Sequence, residues 1–266
     1  MSRDSLGDRM KRQYENRTRS YLPRRTYTII RVDGKAFHTW TQKMERPFDK
    51  GLMTVMDEVA KTLCEEIQGA EFAYVQSDEI SVLLTDFERP TTEAWFDGNV
   101  QKMCSISAAI ATAKFNDLTL DLFLNKKVER FYNDTLALFD SRVFTIPDPI
   151  EVENYFIWRQ QDASRNSIQM AARSVYTHAE CHNKNMNNLH DMLHEKGINW
   201  NNYSDREKRG GLIRPSSVGV SFDTSPPIIQ RGWIIEGAPI FTQEREILRN
   251  LIPKIGTTQD EEKKEV

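Results

Sequence analysis

A chain of 266 residues, 39% hydrophobic and 28% charged, can bury a full core, and none of its apolar runs is long enough to span a bilayer. The opening residues Met1-Ser2-Arg3-Asp4-Ser5 lack the apolar core of a signal peptide, and the net charge of −3 does not mark a nucleic-acid binder. Cys64, Cys104 and Cys181 are scattered without metal-ligand spacing, so they read as reduced thiols of a cytoplasmic protein.

Residues 4–19 read as a polar helix packing through Leu6, Met10 and Tyr14. They belong to a first basic cluster of Arg3, Arg9, Lys11, Arg12, Arg17, Arg19, Arg24 and Arg25. Residues 27–32 are β-rich and read as the first strand. Over residues 50–68, Leu52, Val55, Met56, Val59, Leu63 and Ile67 recur at helical spacing. Residues 72–76 and 80–86 are strands separated only by Ser77-Asp78-Glu79, which makes a hairpin. A helix rich in small residues follows at 99–116, then a fourth strand at 136–144. After Pro147-Asp148-Pro149 the pattern is helical over 151–177 and 185–196. A second basic cluster, Arg206, Lys208, Arg209 and Arg214, lies in an expected loop at 206–214. Short strands are expected at 218–222 and 232–235, a short helix at 242–251, and disorder in the polar tail. The expected division is a catalytic domain with a basic N-terminal segment (1–150), a helical and small-β region (151–256), and the tail (257–266).

The element order through residue 144 is that of an α+β fold, a ferredoxin-like split βαβ arrangement followed by a helical C-terminal half. A right-handed crossover makes the first two strands parallel, and the third returns between them. The end of the first strand, Arg31-Val32-Asp33-Gly34, then meets the hairpin tip, Ser77-Asp78-Glu79. Each motif alone reads more readily as a turn than as a site. On this frame, Asp33 and Asp78 become a paired acidic site able to hold two Mg²⁺ ions against phosphates. Gly34 permits a sharp turn and offers its carbonyl as a further ligand. Glu79 is either a third acid or the first outward residue of its strand. The amides of Gly34-Lys35-Ala36-Phe37-His38 are placed to cradle a triphosphate, with Lys35 adding charge and His38 contacting phosphate or capping the turn.

Arg31-Val32-Asp33-Gly34-Lys35 and Gln76-Ser77-Asp78-Glu79 resemble motifs of the tRNA(His) guanylyltransferase family. The likeness continues through Phe139-Asp140-Ser141-Arg142, residues 155–162 and residues 197–202. It implies a polymerase-like palm that extends RNA at the 5′ end, with Mg²⁺, ATP and GTP or another NTP, tRNA as partner, and a homotetramer. It also implies metal ligation by Asp33, Asp78 and the Gly34 carbonyl, with nucleotide contact by residues 35–38 and Ser77. Arg46 falls where the family activates the RNA end, and Lys208 and Arg209 fall in a region meeting triphosphate or RNA. The guanylyltransferases proper carry His-Ile-Asn-Asn where this chain has Ser164-Arg165-Asn166-Ser167, so only Asn166 matches. That departure resembles the guanylyltransferase-like branch, which repairs truncated tRNA 5′ ends by copying the opposite strand. Two other readings share parts of this pattern. A nucleotidyl cyclase needs the same palm and acids without RNA, and a non-catalytic tRNA-binding protein needs the palm only as a scaffold.

Overall fold

The computed structural model describes residues 5–216, 220–221, 228–229 and 232–255. In chain order the elements are α1 (Leu6–Gln13), β1 (Tyr27–Gly34), α2 (Phe37–Trp40), α3 (Lys50–Glu66), β2 (Ala70–Gln76), β3 (Glu79–Leu84), α4 (Val100–Leu124) and β4 (Phe139–Ile146). There follow α5 (Pro149–Arg173), α6 (His178–Cys181), α7 (Met186–Glu195), α8 (Asp205–Arg209), β5 (Gly211–Ser216), β6 (Val220–Ser221), β7 (Ile228–Ile229), β8 (Gly232–Gly237) and α9 (Arg245–Leu251).

Six strands form one sheet in the order β4-β1-β3-β2-β5-β8. β3 lies between β1 and β2 and is antiparallel to both, so β1 and β2 run parallel around the α3 crossover. The split βαβ palm is therefore present as the element order required. Helices α3 and α4 cover one face, where Val55, Val59, Leu63, Ala111 and Phe115 meet Ile30, Val32, Val75 and Val82. Helices α5 and α9 cover the other, where Val152, Phe156 and Leu248 meet Tyr27, Ile29, Phe72 and Leu83. Helix starts are local: Asp49, Asn99 and Asp148 cap α3, α4 and α5 by accepting amide hydrogen bonds at 2.9, 3.0 and 2.7 Å.

Several expectations need correction. Leu6 and Met10 of α1, and Tyr14 just after it, are exposed rather than packed, because three apolar side chains among so many charges bury too little to offset ordering. Helix α4 runs past residue 116 to Leu124. Residues 117–124 alternate as a strand would, yet Thr119 extends the buried stripe of Ser107, Ala111 and Phe115. The expected loop 206–214 is instead α8 and most of β5, and β5 pairs with β2 through Ala73↔Ile213 and Tyr74↔Leu212. Residues on both sides of position 150 thus share one sheet. Gly210 permits this close approach: its φ is +84°, and a Cβ there would strike the Val75 carbonyl. Of residues 218–222 only Val220–Ser221 is described, paired with Ile228–Ile229. The tail 257–266 lies outside the described residues.

Candidate active site

Asp33 is the last side chain of β1, and Gly34 turns the chain away. In the register, Asp33 stands between Glu79 of β3 and Asp140 of β4. The Gly34 amide donates to the Asp78 carbonyl at 3.1 Å, which locks the strand end to the hairpin tip. Asp33 and Asp78 are both half-buried. Burial pushes the Asp78 carboxyl above the usual carboxylate range, and the charge of Asp33 adds to the effect. Two crowded carboxylates with no cation fully committed to them are a destabilising arrangement that a bound metal relieves. Their oxygens suit Mg²⁺. Among the described residues no group of three or more His, Cys, Asp or Glu closes around an ion. A two-carboxylate site fits Mg²⁺ when substrate phosphates complete the coordination.

Glu79 has a different setting from the other two acids. Its carboxylate lies 3.2 Å from the guanidinium of the buried Arg159 and 3.4 Å from that of Arg31. Arg159 also reaches Asp162 at 2.6 Å and stacks on Trp158 at 4.0 Å. Arg31 in turn lies 3.7 Å from Asp33. Burial raises the Glu79 carboxyl while these two arginines pull against it. Glu79 is thus the hub of an ion network that orients Asp33.

Two cavities meet at the hairpin tip, at Ser77 and Asp78. The turn-side cavity, 390 Å³, is lined by Gly34, Ala36, Phe37, His38, Arg46, Ser77 and Asp78 among others. The α5-side cavity, 290 Å³, is lined by Asp33, Ser77, Asp78, Glu79, Asn166, Gln169 and Arg173 among others. Ser77, Asp78 and Met170 line both. The structure therefore gathers Asp33, Gly34, Ala36, Phe37, His38, Arg46, Ser77, Asp78, Glu79 and Asn166 around one edge. Lys35 is exposed beside them, its amide donating to the Leu138 carbonyl at 2.8 Å. The Phe37 ring backs the turn from the core side, buried against Trp40, Phe115 and Phe139. Ala36 and Ser77 take left-handed φ values of 53° and 49°, strain that stays where the surrounding structure enforces it. A Cβ on Gly34 would collide with the Phe37 ring. Gly34→Ala is therefore expected to displace the turn and cut nucleotide binding at least about tenfold, since misplacement of this size costs on the order of 10²-fold in rate. Calorimetric titration with ATP checks this, and wild-type affinity would mean the turn is more pliable than its packing shows.

Lys208 and Arg209 sit apart from this edge. The Lys208 ammonium donates to the Asn201 carbonyl at 3.0 Å and lies 5.8 Å over the Trp200 ring. Arg209 is ion-paired with Asp205, and its carbonyl accepts from the Tyr74 hydroxyl at 2.6 Å. Arg206 is paired with Asp57 and Arg214 with Glu236. Arg206 and Arg214 are paired with acids distant in sequence, while Lys208 and Arg209 both lie against Asp205 of their own helix. Within residues 164–167, Ser167 is buried within 3.1 Å of both the Lys208 carbonyl and the Trp200 indole, and only Asn166 lines the α5-side cavity. Gln169 and Arg173, which the sequence reading passed over, line the same wall at helical spacing from Asn166.

A split βαβ sheet with two carboxylates at the strand edge is the palm of the polymerase and cyclase class. A family model described as tRNAHis guanylyltransferase (Thg1) matches residues 7–147. A bacterial tRNA(His) guanylyltransferase-like protein, solved with ATP and again with GTP, is 40% identical over 94% of this chain. The alignments cover 99% and 100% of those chains, with TM-scores of 0.80 and 0.76. Among curated proteins, the tRNA(His) guanylyltransferase of Debaryomyces hansenii is 29% identical, covering 71% of this chain and 73% of its own length. An uncharacterised mimivirus protein is also 29% identical, over 81% of this chain and 78% of its own. The chain belongs to the tRNA(His) guanylyltransferase family and is a nucleotidyltransferase. No helix among the described residues is long and apolar enough to cross a membrane.

Proposed function

We propose that this chain adds nucleotides to the 5′ end of tRNA in the 3′–5′ direction, copying the opposite strand, and so repairs truncated ends. The observation that carries the reading is the pair of cavities meeting at Ser77 and Asp78. Asp78 lines both and Asp33 lines the α5-side cavity, so two phosphate-bearing reactants have separate routes to the acidic edge. Asp33, Asp78 and the Gly34 carbonyl would hold Mg²⁺. When bound, two such ions supply polarisation of the attacking hydroxyl and charge neutralisation of the leaving phosphate.

A 5′-monophosphate RNA first attacks the α-phosphate of ATP; pyrophosphate leaves and an adenylylated 5′ end results. The 3′-hydroxyl of an incoming NTP then attacks the RNA 5′ α-phosphate, and AMP leaves as the new phosphodiester forms. A 5′-triphosphate end enters the second step directly and releases pyrophosphate. The backbone of residues 34–38 with Ser77, Lys35 and His38 positions phosphates on the turn side, and Arg46 serves 5′-end activation. Asn166 faces the RNA end. Glu79 acts by holding Arg31 and Arg159 in place, and Lys208 and Arg209 act by fixing α8. Positioning and charge neutralisation account for most catalysis in phosphoryl transfer, so base choice is left to pairing with the template. Exposed Arg9, Lys11 and Arg17 on and beside α1 are free to follow the RNA backbone.

Support for the repair branch over strict tRNA(His) selection comes from residues 164–167, where Asn166 alone remains of His-Ile-Asn-Asn. The test supplies 5′-labelled tRNA lacking its first nucleotide, and full-length tRNA(His), with Mg²⁺, ATP and each NTP in turn. Addition dictated by the base opposite the gap is the expected result. Addition of G to tRNA(His) alone would replace repair with G−1 addition, and binding without addition to either RNA would favour a non-catalytic role.

A further inference from the structure

Helix α5 presents a polar row to the acidic edge. Asp162, Asn166, Gln169 and Arg173 follow one another at three- and four-residue steps, and all four line the α5-side cavity. The same cavity is lined by Asp33, Asp78 and Glu79, and its single lining cation is Arg173. Glu79 and Asp162 are held by Arg159, and Asp33 lies near Arg31 and Arg142 at 3.7 and 3.9 Å. Arg173 is exposed, and among the described residues no carboxylate is paired with it. An arginine left uncommitted in a cavity of carboxylates is available to an anion that arrives with the substrate. Its planar fork of donors matches phosphate better than any other side chain. The turn-side cavity has its own cation in Arg46, with the His38 imidazole beside it.

We propose that Arg173 contacts a phosphate of the reactant occupying the α5-side cavity, carried either by the RNA 5′ end or by the nucleotide. This rests on the two-reactant reading of the acidic pair given above. The last turn of a helix also favours a cation through its dipole, a role that makes no distinction among substrates.

Equilibrium binding to the full chain in Mg²⁺ separates these roles without turnover. The ligands are a truncated tRNA with a 5′-triphosphate, the same RNA with a 5′-hydroxyl, and ATP and GTP. Wild type is expected to prefer the triphosphate RNA. R173A is expected to lose about tenfold on it and little on the hydroxyl RNA, the scale of one charge-assisted hydrogen bond, with R173K in between. A tenfold loss on ATP or GTP instead would assign the phosphate to the nucleotide and still support the contact. Equal losses on both RNAs, or no loss on any ligand, would overturn it. Arg173 is exposed, so R173A should keep the wild-type Tm. Phosphate discrimination that depends on Arg173 in a protein adding no nucleotide would sink the proposed reaction alone. Templated addition with R173A binding every ligand like wild type would sink the Arg173 contact alone.

Discussion

Asp78→Asn is expected to lower nucleotide addition by about 10³-fold or more, the scale of removing a group that neutralises transition-state charge. The same substitution should leave Tm unchanged or slightly raised. Burial and the neighbouring Asp33 lift the folded-state pKa of Asp78 above its unfolded value. An acid shifted in that direction binds its proton more tightly when folded. Its contribution is therefore fully present below the unfolded pKa and is lost as pH rises through the folded pKa. At neutral pH the charged Asp78 opposes folding, and Asn relieves that opposition. Single-turnover addition and thermal unfolding in EDTA, measured on the same preparation, check both halves. Activity within tenfold of wild type would remove Asp78 from the metal site. A large fall in Tm would mean that Asp78 is there to hold the hairpin tip. Stability sacrificed at a site whose geometry serves chemistry is a general trade.

Arg206→Ala is expected to destabilise the fold by about 3 kcal/mol, the usual scale for breaking one side of a buried ion pair. In a chain of this size that is a fall in Tm on the order of 6–12 °C. Arg206 Nε donates to both Asp57 oxygens at 3.0 Å, and its terminal nitrogen lies 2.8 Å from one of them. The two side chains are 15% and 10% exposed, so the loss is not screened away by solvent. Burial already raises the Asp57 carboxyl, and only Arg206 pulls it back appreciably. Without Arg206 that pKa rises further, and the deficit should be larger at pH 8 than at pH 5, where Asp57 can take up a proton in the folded state. Denaturant unfolding at the two pH values measures this. The salt dependence of tRNA binding should keep its slope. A slope reduced by about one with unchanged stability would make Arg206 a phosphate contact instead.

These two residues mark the limit of reading the chain in order. Arg206, Lys208, Arg209 and Arg214 look like a basic patch because they are close in sequence. Asp57 and Glu236, which neutralise two of them, are brought in by α3 and β8. The same blindness hid β5: Leu212 and Ile213 are two apolar residues between arginines and glycines, too short a run to announce a strand. Their place beside β2 is decided by the burial of both, with Gly210 allowing the approach. Arg159 and Gln160 could be quoted as part of a motif, but their work is visible only in three dimensions. Arg159 bridges Glu79 and Asp162, while Gln160 donates to the Pro239 carbonyl at 2.6 Å and accepts from the Phe241 amide at 2.8 Å.

Sequence alone determined the palm, because apolar periodicity, capping residues and the two-residue strand period are local, and a split βαβ order leaves few ways to pair its strands. It also determined that Asp33 and Asp78 share an edge, since that follows from strand order without any side-chain detail. Only the tertiary structure decided which charges remain available there. Whether a charge is spent depends on the partners that folding brings within about 4 Å. By that measure Glu79 is committed to two arginines, the α8 cluster is neutralised, and Arg173 is left facing the cavity beside Asp78 with no partner among the described residues.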